Sequence, residues 1–203
     1  MTSRRTILLI RHGEPDVDWL VRLSRSEFYR WTASYDTAPL LSGSSPPAST
    51  REKVDSDDIV LVSELRRSQE SSAVLYPDQP VKFTHIEFNE LPLIDPPLPW
   101  LKFTPFWWVV IARALRFAGY GRHQSGRGGS RIRASVACGL LCQYASPGQR
   151  AVLIGHGAMN RMIGDELARR GWHRDRRLRR WPYWGVEEFY REVSAAEIIH
   201  ETN

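Results

Sequence analysis

The amino-acid sequence predicts an α/β fold in which helices cover both faces of a mostly parallel central sheet, a three-layer α/β/α sandwich. Apolar runs too short for helices alternate along the chain with longer segments of helical periodicity, the pattern of strand-helix-strand units. Three of these runs, at residues 6–10, 59–62 and 151–154, are apolar or β-branched throughout, as expected of strands buried on both faces. With 203 residues and 42% hydrophobic content, the chain can bury one substantial core. We therefore expect a single domain over residues 1–203.

The pattern predicts nine elements, in chain order: a strand at 6–11, a helix within 16–34, a strand at 59–63, a helix at 66–76, a strand at 81–86, helices at 106–118 and 131–145, a strand at 151–155 and a helix at 157–170. Turn-forming residues separate elements at Ser42–Thr50 and Gly119–Ser130. Ser130 is the expected N-cap of the helix that follows it. The pattern of residues 185–199 is compatible with a helix.

The first predicted strand ends abruptly in a basic pair. Residues Leu8 to Pro15 read LLIRHGEP, so that Arg11 and His12 follow an apolar run and a glycine comes next. Histidine can attack phosphorus or carry a proton, and a guanidinium can hold phosphate oxygens in a planar fork. The pair therefore indicates phosphoryl chemistry, although a salt-bridging pair at a strand end would explain these two residues alone equally well.

Two further predicted strands also end in basic residues. The run AVLIGHG delivers His156 between two glycines, and the run IVLVS leads into ELRRSQESSA, which delivers Arg67 to the first turn of a helix. The carboxyl ends of parallel strands meet at one edge of a sheet, where ligands bind in doubly wound folds. Like charges gathered there would repel one another without a ligand, so we expect a multiply charged anion. The residues expected to converge on it are Arg11, His12, Arg67 and His156.

Taken together, these motifs resemble those of the histidine phosphatase superfamily, also called the phosphoglycerate mutase-like family. Four of its motifs match in order: RHGE at Arg11–Glu14, S-x-L-x-R at Ser63–Arg67, an acid after a strand at Glu90 in FNEL, and a strand ending in HG at His156–Gly157. The stretch DTAPLLSG at Asp36–Gly43 is similar to a turn of the same family. The resemblance implies a phosphoglycerate mutase-like fold, in which residues 185–199 would supply one or two edge strands.

The resemblance also implies a phosphohistidine mechanism. His12 is expected to attack phosphorus, and Arg11, Arg67 and His156 are expected to bind the phosphate oxygens, with His156 counted among the catalytic residues. Glu90 is expected to protonate the leaving alkoxide and later to deprotonate the water that cleaves phosphohistidine. The arginines supply the positive charge that magnesium provides elsewhere, so neither a metal nor another cofactor is expected.

Two features depart from the family pattern. Many members carry an asparagine phosphate donor seven residues after the first arginine, where this chain has Asp18, a carboxylate that cannot donate when ionised. Asn160 is a candidate replacement for that donor. The usual G-x-W-E-G after the acid is replaced by LPLIDPPLPW, and the acid itself has two competitors, Glu87 and Asp95.

An insert at about residues 91–130 is expected to determine specificity. It is rich in aromatic residues, namely Trp100, Phe103, Phe106, Trp107 and Trp108. Residues 100–118 fit a core helix packed on the sheet. The alternatives are an aromatic lid over the site, or a peripheral membrane contact with Arg113 and Arg116 at the interface.

Composition predicts a cytoplasmic protein without a membrane-spanning segment. The longest apolar stretch, Phe103–Ala112, is too short to span a bilayer, and the short apolar run after Arg5 does not fit a secretory signal. Cys138 and Cys142 are most simply reduced thiols without visible metal-ligand partners. The net charge of +5 includes the arginine-rich stretch Arg169–Trp181, which could bind nucleic acid. No nucleic-acid motif accompanies it, so a solvated face or steering of anionic substrates is preferred.

Three function classes remain open. The first is a phosphomonoesterase acting on a phosphorylated small molecule or phosphoprotein, a histidine acid-type phosphatase. The second is a cofactor-dependent mutase, which must keep water from phosphohistidine and usually has a larger cap than this chain length allows. The third is a non-catalytic binder of phosphate or protein, which is disfavoured because nucleophile, clamp and acid are all present. The sequence specifies neither the substrate nor the oligomeric state.

Overall fold

The computed structural model describes residues 2–98, 100–120, 127–178 and 181–194, and the strands of this part of the chain form one sheet. The strands are β1 (Thr2–Arg11), β2 (Ile59–Val62), β3 (Phe83–Thr84), β4 (Ala151–Gly155), β5 (His173–Arg174) and β6 (Val186–Ser194). The helices are α1 (Arg25–Thr37), α2 (Ala48–Arg51), α3 (Arg66–Leu75), α4 (Pro105–Phe117), α5 (Arg127–Tyr144) and α6 (Gly157–Arg169). A 3-10 turn at Ile86–Phe88 follows β3.

The sheet has the strand order β3-β2-β4-β1-β6-β5. Strands β3, β2, β4 and β1 are parallel to one another, whereas β6 runs antiparallel to both β1 and β5. The predicted mostly parallel sheet is therefore confirmed. In the central pair, Arg11 on β1 lies opposite Gly155 on β4, so the two strands end together.

Side chains of β1 alternate between two buried clusters, one on each face of the sheet. Ile7 and Leu9 pack with residues of α5 and α6 such as Leu141 and Ile163. Leu8 and Ile10 point to the opposite face, in a cluster that includes Tyr76 just after α3. Because side chains alternate along a strand, a central strand buried on both faces must be apolar throughout. The predicted three-layer arrangement is confirmed.

Two predicted helix starts differ from those observed by more than one residue. The helix expected within 16–34 begins at Arg25, because Ser24 and Glu27 form a capping box that fixes its start. Ser130 is not the N-cap of the next long helix, since α5 already begins at Arg127. Its hydroxyl instead accepts a hydrogen bond from Arg116.

The predicted strand 81–86 is reduced to β3, because His85 caps the 3-10 turn that follows and ends the pairing. The helical interpretation of 185–199 is wrong for the described part, which forms β6. The edge position that the resemblance implied is also wrong, because β6 lies between β1 and β5. Residues 195–199 lie outside the described residues. The inward positions of β6 include Phe189 and Val193 but also the buried Glu187, and this charged residue conceals the two-residue alternation of the strand. No helix in the described ranges is long and apolar enough to cross a bilayer.

Candidate active site

Two histidines meet where β1 and β4 end. His12 and His156 each follow the last paired residue of their strand. The backbone N–H of His12 donates to the Gly155 carbonyl at 2.9 Å, and the two imidazole ring centres are 4.9 Å apart. Both histidines are buried, with relative exposures of 1% and 0%. Their side chains therefore lie beneath the surface instead of emerging at an open edge of the sheet.

The environment of His12 sets its protonation. Burial lowers the pKa of His12 well below its usual value, and His156, Arg67 and Arg11 lower it further, so the ring is neutral. Nδ1 of His12 lies 2.6 Å from the carbonyl oxygen of Gly13. Because a carbonyl can only accept, Nδ1 carries the proton and the ring lone pair is on Nε2.

A serine orients His156. Oγ of Ser63 lies 2.7 Å from Nε2 of His156 and also accepts the backbone N–H of Leu65 at 3.2 Å. The hydroxyl proton is then free to donate to Nε2, which places the ring proton on Nδ1. This Nδ1 is buried and has no hydrogen-bond partner among the described residues. Burial, followed by Arg67 and Arg11, lowers the pKa of His156 well below its usual value, so the ring offers a neutral donor to a ligand.

Arg67 is fully buried at the start of α3 and is held by the end of α1. Its Nη1 donates to the carbonyls of Tyr35 at 2.7 Å and Asp36 at 3.3 Å, and its guanidinium carbon lies 4.4 Å from the Tyr35 ring centre. Its Nη2 is 3.8 Å from a carboxylate oxygen of Asp36. Its Nε and Nη2 make no hydrogen bond within the described ranges. One side of the fork is thus anchored, and two buried nitrogens remain for an anion.

Arg11 is held in a similar way by the segment before β6. Its Nη1 donates to the Trp181 carbonyl, and its guanidinium carbon lies 4.1 Å from the ring centre of Tyr183. Its Nε is buried and lacks a hydrogen-bond partner in the described chain. The structure thus places all four predicted basic residues in one cluster, and three of them present unused donors.

Glu90 lies against the first turn of α6. Its carboxylate accepts the backbone N–H groups of Leu91 at 2.8 Å, Met159 at 3.2 Å and Ala158 at 3.3 Å, and Nη2 of Arg113 lies 3.5 Å away. Burial raises the pKa of this carboxyl group, but Arg113 and the backbone donors outweigh burial, so the pKa is below its usual value. Glu90 is therefore ionised when no ligand is bound.

The competing acids have other partners. Glu87 pairs with Arg133, at 3.1 Å. Asp95 accepts two hydrogen bonds from Arg25, at 2.8 and 2.5 Å. Neither residue lines the cavity described below. Among the three candidate acids, geometry therefore favours Glu90.

Asp18, at the position of the family asparagine, and Asn160, the candidate replacement donor, both make hydrogen bonds to the backbone. Asp18 is exposed and accepts the backbone N–H groups of Leu20 at 2.7 Å and Val21 at 3.2 Å, so it closes a local turn away from the histidines. The side-chain nitrogen of Asn160 donates to the Ile10 carbonyl at 3.0 Å and secures the end of β1. Neither residue lines the cavity.

A cavity of about 710 Å³ opens beside the basic cluster. Its lining includes the site residues Arg11 and Glu90, the start of α6, and a wall formed by Trp19, Tyr35, Leu93, Val109 and Arg113. The buried residues His12, Arg67 and His156 do not line it. Arg11 and Tyr35 connect the two regions, because Arg11 belongs to the basic cluster and Arg67 packs on the ring of Tyr35.

The insert helix α4 contributes both to a buried aromatic cluster and to the wall of the cavity. Trp108 is fully buried, but it stacks on Phe28 of α1 in a cluster separate from the two on the faces of the sheet, so the predicted packing of this core helix on the sheet is wrong. Val109 and Arg113, on the same helix, line the cavity. Phe106 and Trp107 are more than half exposed.

Sequence reasoning missed the contribution of the segment Trp181–Gly185. The ring centre of Tyr183 lies 5.8 Å from that of His12, and burial, with Tyr35 nearby, raises the pKa of Tyr183 to about 12, so its hydroxyl is protonated. Trp184 has a φ of 61° and donates its backbone N–H to the Arg11 carbonyl at 3.1 Å. The only sequence signals here are the turn formers within WPYWG, which say nothing about distant contacts.

The described residues contain no group of three or more histidine, cysteine, aspartate or glutamate side chains arranged to hold a metal ion. Cys138 and Cys142 are both free thiols. The unused hydrogen-bonding groups of the basic cluster are mainly donors, and donors suit an anionic ligand.

Comparison with solved structures identifies the architecture. The product of an open reading frame of Mycobacterium tuberculosis superposes with a TM-score of 0.56 at 14% sequence identity, over 93% of this chain and 95% of that chain. The chain has the phosphoglycerate mutase-like fold. A phosphoserine phosphatase from Entamoeba histolytica, in complex with 3-phosphoglyceric acid, gives a TM-score of 0.51 at 15% identity over 93% and 95% of the two chains.

A mycobacterial glucosyl-3-phosphoglycerate phosphatase in complex with VO3 also has a similar fold, with a TM-score of 0.51 at 16% identity over 93% of this chain and 97% of that chain. Comparison of the sequence with protein-family models and with curated proteins finds no match. At these identities the similarity establishes the fold, and the function has to be argued from the site.

Proposed function

We propose that the chain is a histidine phosphatase, a phosphomonoesterase that works through a phosphohistidine intermediate. The observation that carries the proposal is the state of His12, which is neutral, donates from Nδ1 to the Gly13 carbonyl, and has its lone pair on Nε2. Unused donors on Arg11, Arg67 and His156 surround it. The shared fold of two proteins described as phosphatases adds support.

The first half-reaction transfers the phosphoryl group to the enzyme. Nε2 of His12 forms a bond to phosphorus while the ester P–O bond on the opposite side breaks. Arg11, Arg67 and His156 bind the nonbridging oxygens and offset their charge. Glu90 donates its proton to the departing oxygen, which leaves as an alcohol.

Glu90 must therefore be protonated in the substrate complex, although it is ionised in the free protein. A bound phosphate dianion offsets the charges of Arg11 and Arg113, which hold the pKa of Glu90 down. Substrate binding thus raises the pKa of the carboxyl group toward the range that an acid catalyst needs. This coupling favours activity on the acidic side of neutrality, which is why we assign the histidine acid-type class.

The second half-reaction returns the enzyme to its starting state. A water molecule replaces the alcohol and gives a proton to Glu90 as its oxygen bonds to phosphorus. The bond between phosphorus and His12 Nε2 breaks, inorganic phosphate leaves, and neutral His12 is regenerated. As phosphate leaves, Glu90 loses this proton to solvent, and binding of the next substrate protonates it again. We also propose a cytoplasmic location, because the free thiols Cys138 and Cys142 suit a reducing compartment.

The proposal is tested with His12→Asn, because asparagine retains a donor for the Gly13 carbonyl but has no nucleophilic nitrogen. We expect the variant to lose at least 99.9% of aryl phosphatase activity, in line with loss of covalent catalysis, about 4 kcal/mol. The matched control is His173→Asn on β5, which should retain full activity. Brief mixing of the wild type with labelled substrate should give a phosphoenzyme that is labile in acid and stable in alkali.

The other function classes give different results. A wild-type protein that binds phosphate but hydrolyses no aryl phosphate is a non-catalytic binder. Phosphoryl exchange between phosphoglycerates that outpaces hydrolysis indicates a mutase. Label that survives acid but is lost in alkali indicates a serine ester and excludes His12 as the nucleophile.

A further inference from the structure

The cavity beside the basic cluster is much larger than a phosphate group requires. Pockets of about 300–1,000 Å³ hold drug-sized ligands, and this cavity has a volume of about 710 Å³. Of the proposed site residues, Arg11 and Glu90 line it, so in the proposed reaction most of this volume is available to the alcohol portion of the substrate, which leaves during the reaction. A small hydrophilic alcohol would leave much of that volume to water.

Apart from Arg113, which pairs with Glu90, the wall defined above is aromatic and aliphatic, consisting of Trp19, Tyr35, Leu93 and Val109. Such a wall gains free energy by removing apolar ligand surface from water, and the flat rings favour a flat ligand. The chemistry of the lining thus favours a bulky apolar or aromatic leaving group.

Trp19 is held rigidly by other aromatic rings. Its ring meets the rings of Trp31 and Tyr35 edge-on, with ring centres 5.2 and 5.7 Å apart. Trp31 in turn stacks on Tyr35 at 5.1 Å and on Phe28 at 5.9 Å. A contact made by a ring that is already ordered costs little conformational entropy when a ligand binds.

Two residues that line the cavity, Trp19 and Arg113, each carry a buried donor without a hydrogen-bond partner in the described part of the chain. These donors are Nε1 of Trp19 and Nη1 of Arg113. Arg113 also faces the carboxylate of Glu90, so part of its charge is already offset. The Trp19 indole nitrogen can only donate, and buried donors in proteins are nearly always satisfied.

We infer that Trp19 is a specificity-determining residue: the leaving group is a bulky, flat and largely apolar alcohol or phenol with an oxygen acceptor that binds Trp19 Nε1. This inference rests on the proposed phosphatase function, and it names the substrate class for that site. Arg113 also lines the cavity, and its unpartnered Nη1 would donate to a second acceptor on the same group.

The first test measures the size preference of the wild type. Phenyl phosphate and 2-naphthyl phosphate have similar leaving-group chemistry and differ by one ring. We expect kcat/KM to be about tenfold higher for the naphthyl ester, because the second ring buries additional apolar surface. Equal values for the two esters would overturn the inference.

The second test isolates the indole donor. Trp19→Phe retains an aromatic ring and removes the N–H, and it is assayed on 2-naphthyl phosphate and on its 6-acetyl derivative. We expect kcat/KM to fall by about three- to tenfold for the acetyl ester, the effect of one lost hydrogen bond, and by less than twofold for the unsubstituted ester. Trp31→Phe is the matched control, since Trp31 belongs to the same aromatic cluster but does not line the cavity. It should leave the ratio between the two esters unchanged.

Failure of the inference is distinguishable from failure of the proposed function. If Trp19→Phe changes kcat/KM equally for both esters, or for neither, Trp19 does not donate a hydrogen bond to the leaving group and the inference is wrong. If the wild type hydrolyses no ester, the phosphatase proposal fails, and calorimetry with phosphonates tests the cavity separately. Naphthylmethylphosphonate should then bind at least tenfold more tightly than methylphosphonate, and Trp19→Ala should remove that difference. Equal affinities would overturn the inference there too.

Discussion

Arg67 is a buried cation whose geometry matters as much as its charge. One nitrogen of its planar fork is anchored on the carbonyls of Tyr35 and Asp36, which leaves the other two nitrogens in a fixed direction. A lysine ammonium is a point charge on a flexible stem, so it cannot make the anchoring contact and the phosphate contacts together.

Arg67→Lys is therefore expected to lower kcat/KM for aryl phosphates by one to three orders of magnitude, about 1.4 kcal/mol for each tenfold change. The neighbouring Arg66 is exposed and pairs with Glu70, so Arg66→Lys is a control of identical chemistry that should remain within about twofold of wild type. Steady-state kinetics measures kcat/KM for both variants. Similar rates for the two variants would show that Arg67 only supports the fold.

The loss of activity on removing Glu90 is expected to depend on the leaving group of the substrate. If Glu90 protonates the leaving oxygen, its loss should matter for alkyl phosphates and much less for activated aryl phosphates, which depart without a proton. Glu90→Gln should thus depress alkyl phosphate hydrolysis by at least ten times more than 4-nitrophenyl phosphate hydrolysis, under conditions in which phosphorylation of the enzyme limits the rate. Glu87→Gln serves as the control, because Glu87 is paired with Arg133 outside the cavity. Equal losses on both substrates would assign Glu90 to binding or to the water step.

At the scale of elements, the loop after β1 is clamped by two distant segments. The backbone N–H of Gly13 donates to Ser71 Oγ on α3, and that of Glu14 donates to Ser44 Oγ, both at 2.9 Å. The indole nitrogen of Trp184 donates to the same Ser44 hydroxyl, at 3.2 Å. The position of the Gly13 carbonyl, and with it the tautomer of His12, therefore depends on this packing.

Gly13→Ala tests that dependence. A Cβ on Gly13 would overlap the Trp184 indole and lie 2.6 Å from Leu40 Cδ1, so the loop must move. We expect a loss of about 1–3 kcal/mol in the free energy of unfolding and a large loss of activity. Gly129→Ala is the control, because a Cβ there meets nothing within 4 Å. Urea unfolding and aryl phosphatase assays measure the two effects, and a fully active, stable Gly13→Ala variant would contradict the clamp.

The elements also show what the sequence can predict about the site. Arg11, His12, Arg67 and His156 could be found because each lies where an apolar strand gives way to a polar residue, and parallel strands bring such ends together. Trp19 and Tyr183 could not be found in that way, since neither follows a strand end. Tyr183 meets His12 from a distant part of the chain, and Trp19 is placed by ring contacts with Trp31 and Tyr35. Asp18 lies at the spacing of the family asparagine, but spacing alone cannot show that its carboxylate closes a local turn.

At the scale of the whole molecule, the buried histidines make stability depend on pH. The pKa values of His12 and His156 lie well below their usual value in the folded protein, whereas in the unfolded chain both are about 6.5. Above pH 6.5 both states are neutral at these positions. Below pH 6.5 both histidines take up protons in the unfolded chain but not in the folded protein. The free energy of unfolding therefore decreases as the pH falls.

The expected slope is at most about 1.4 kcal/mol per pH unit for each histidine. Thermal unfolding between pH 7.5 and 5.5 should show Tm decreasing with acidity, and saturating inorganic phosphate should raise Tm throughout by binding the folded state. In the double variant His12→Asn, His156→Asn the dependence should be much shallower. A constant Tm over this range in the wild type would mean that the histidines are not held neutral by the fold.

Strand β1, which leads into the proposed nucleophile His12, pairs with strands that are distant in the sequence, and this has a consequence for how the protein is made. Ile7 pairs with Ala151 on one side and with Phe189 on the other. During synthesis, therefore, β1 leaves the ribosome long before either neighbour exists, and contacts so distant in sequence form slowly. The imidazole of His12 cannot meet His156, Tyr183 or the Trp184 clamp until nearly all the described residues have been translated. If the proposed function holds, the catalytic site can therefore assemble only late in synthesis.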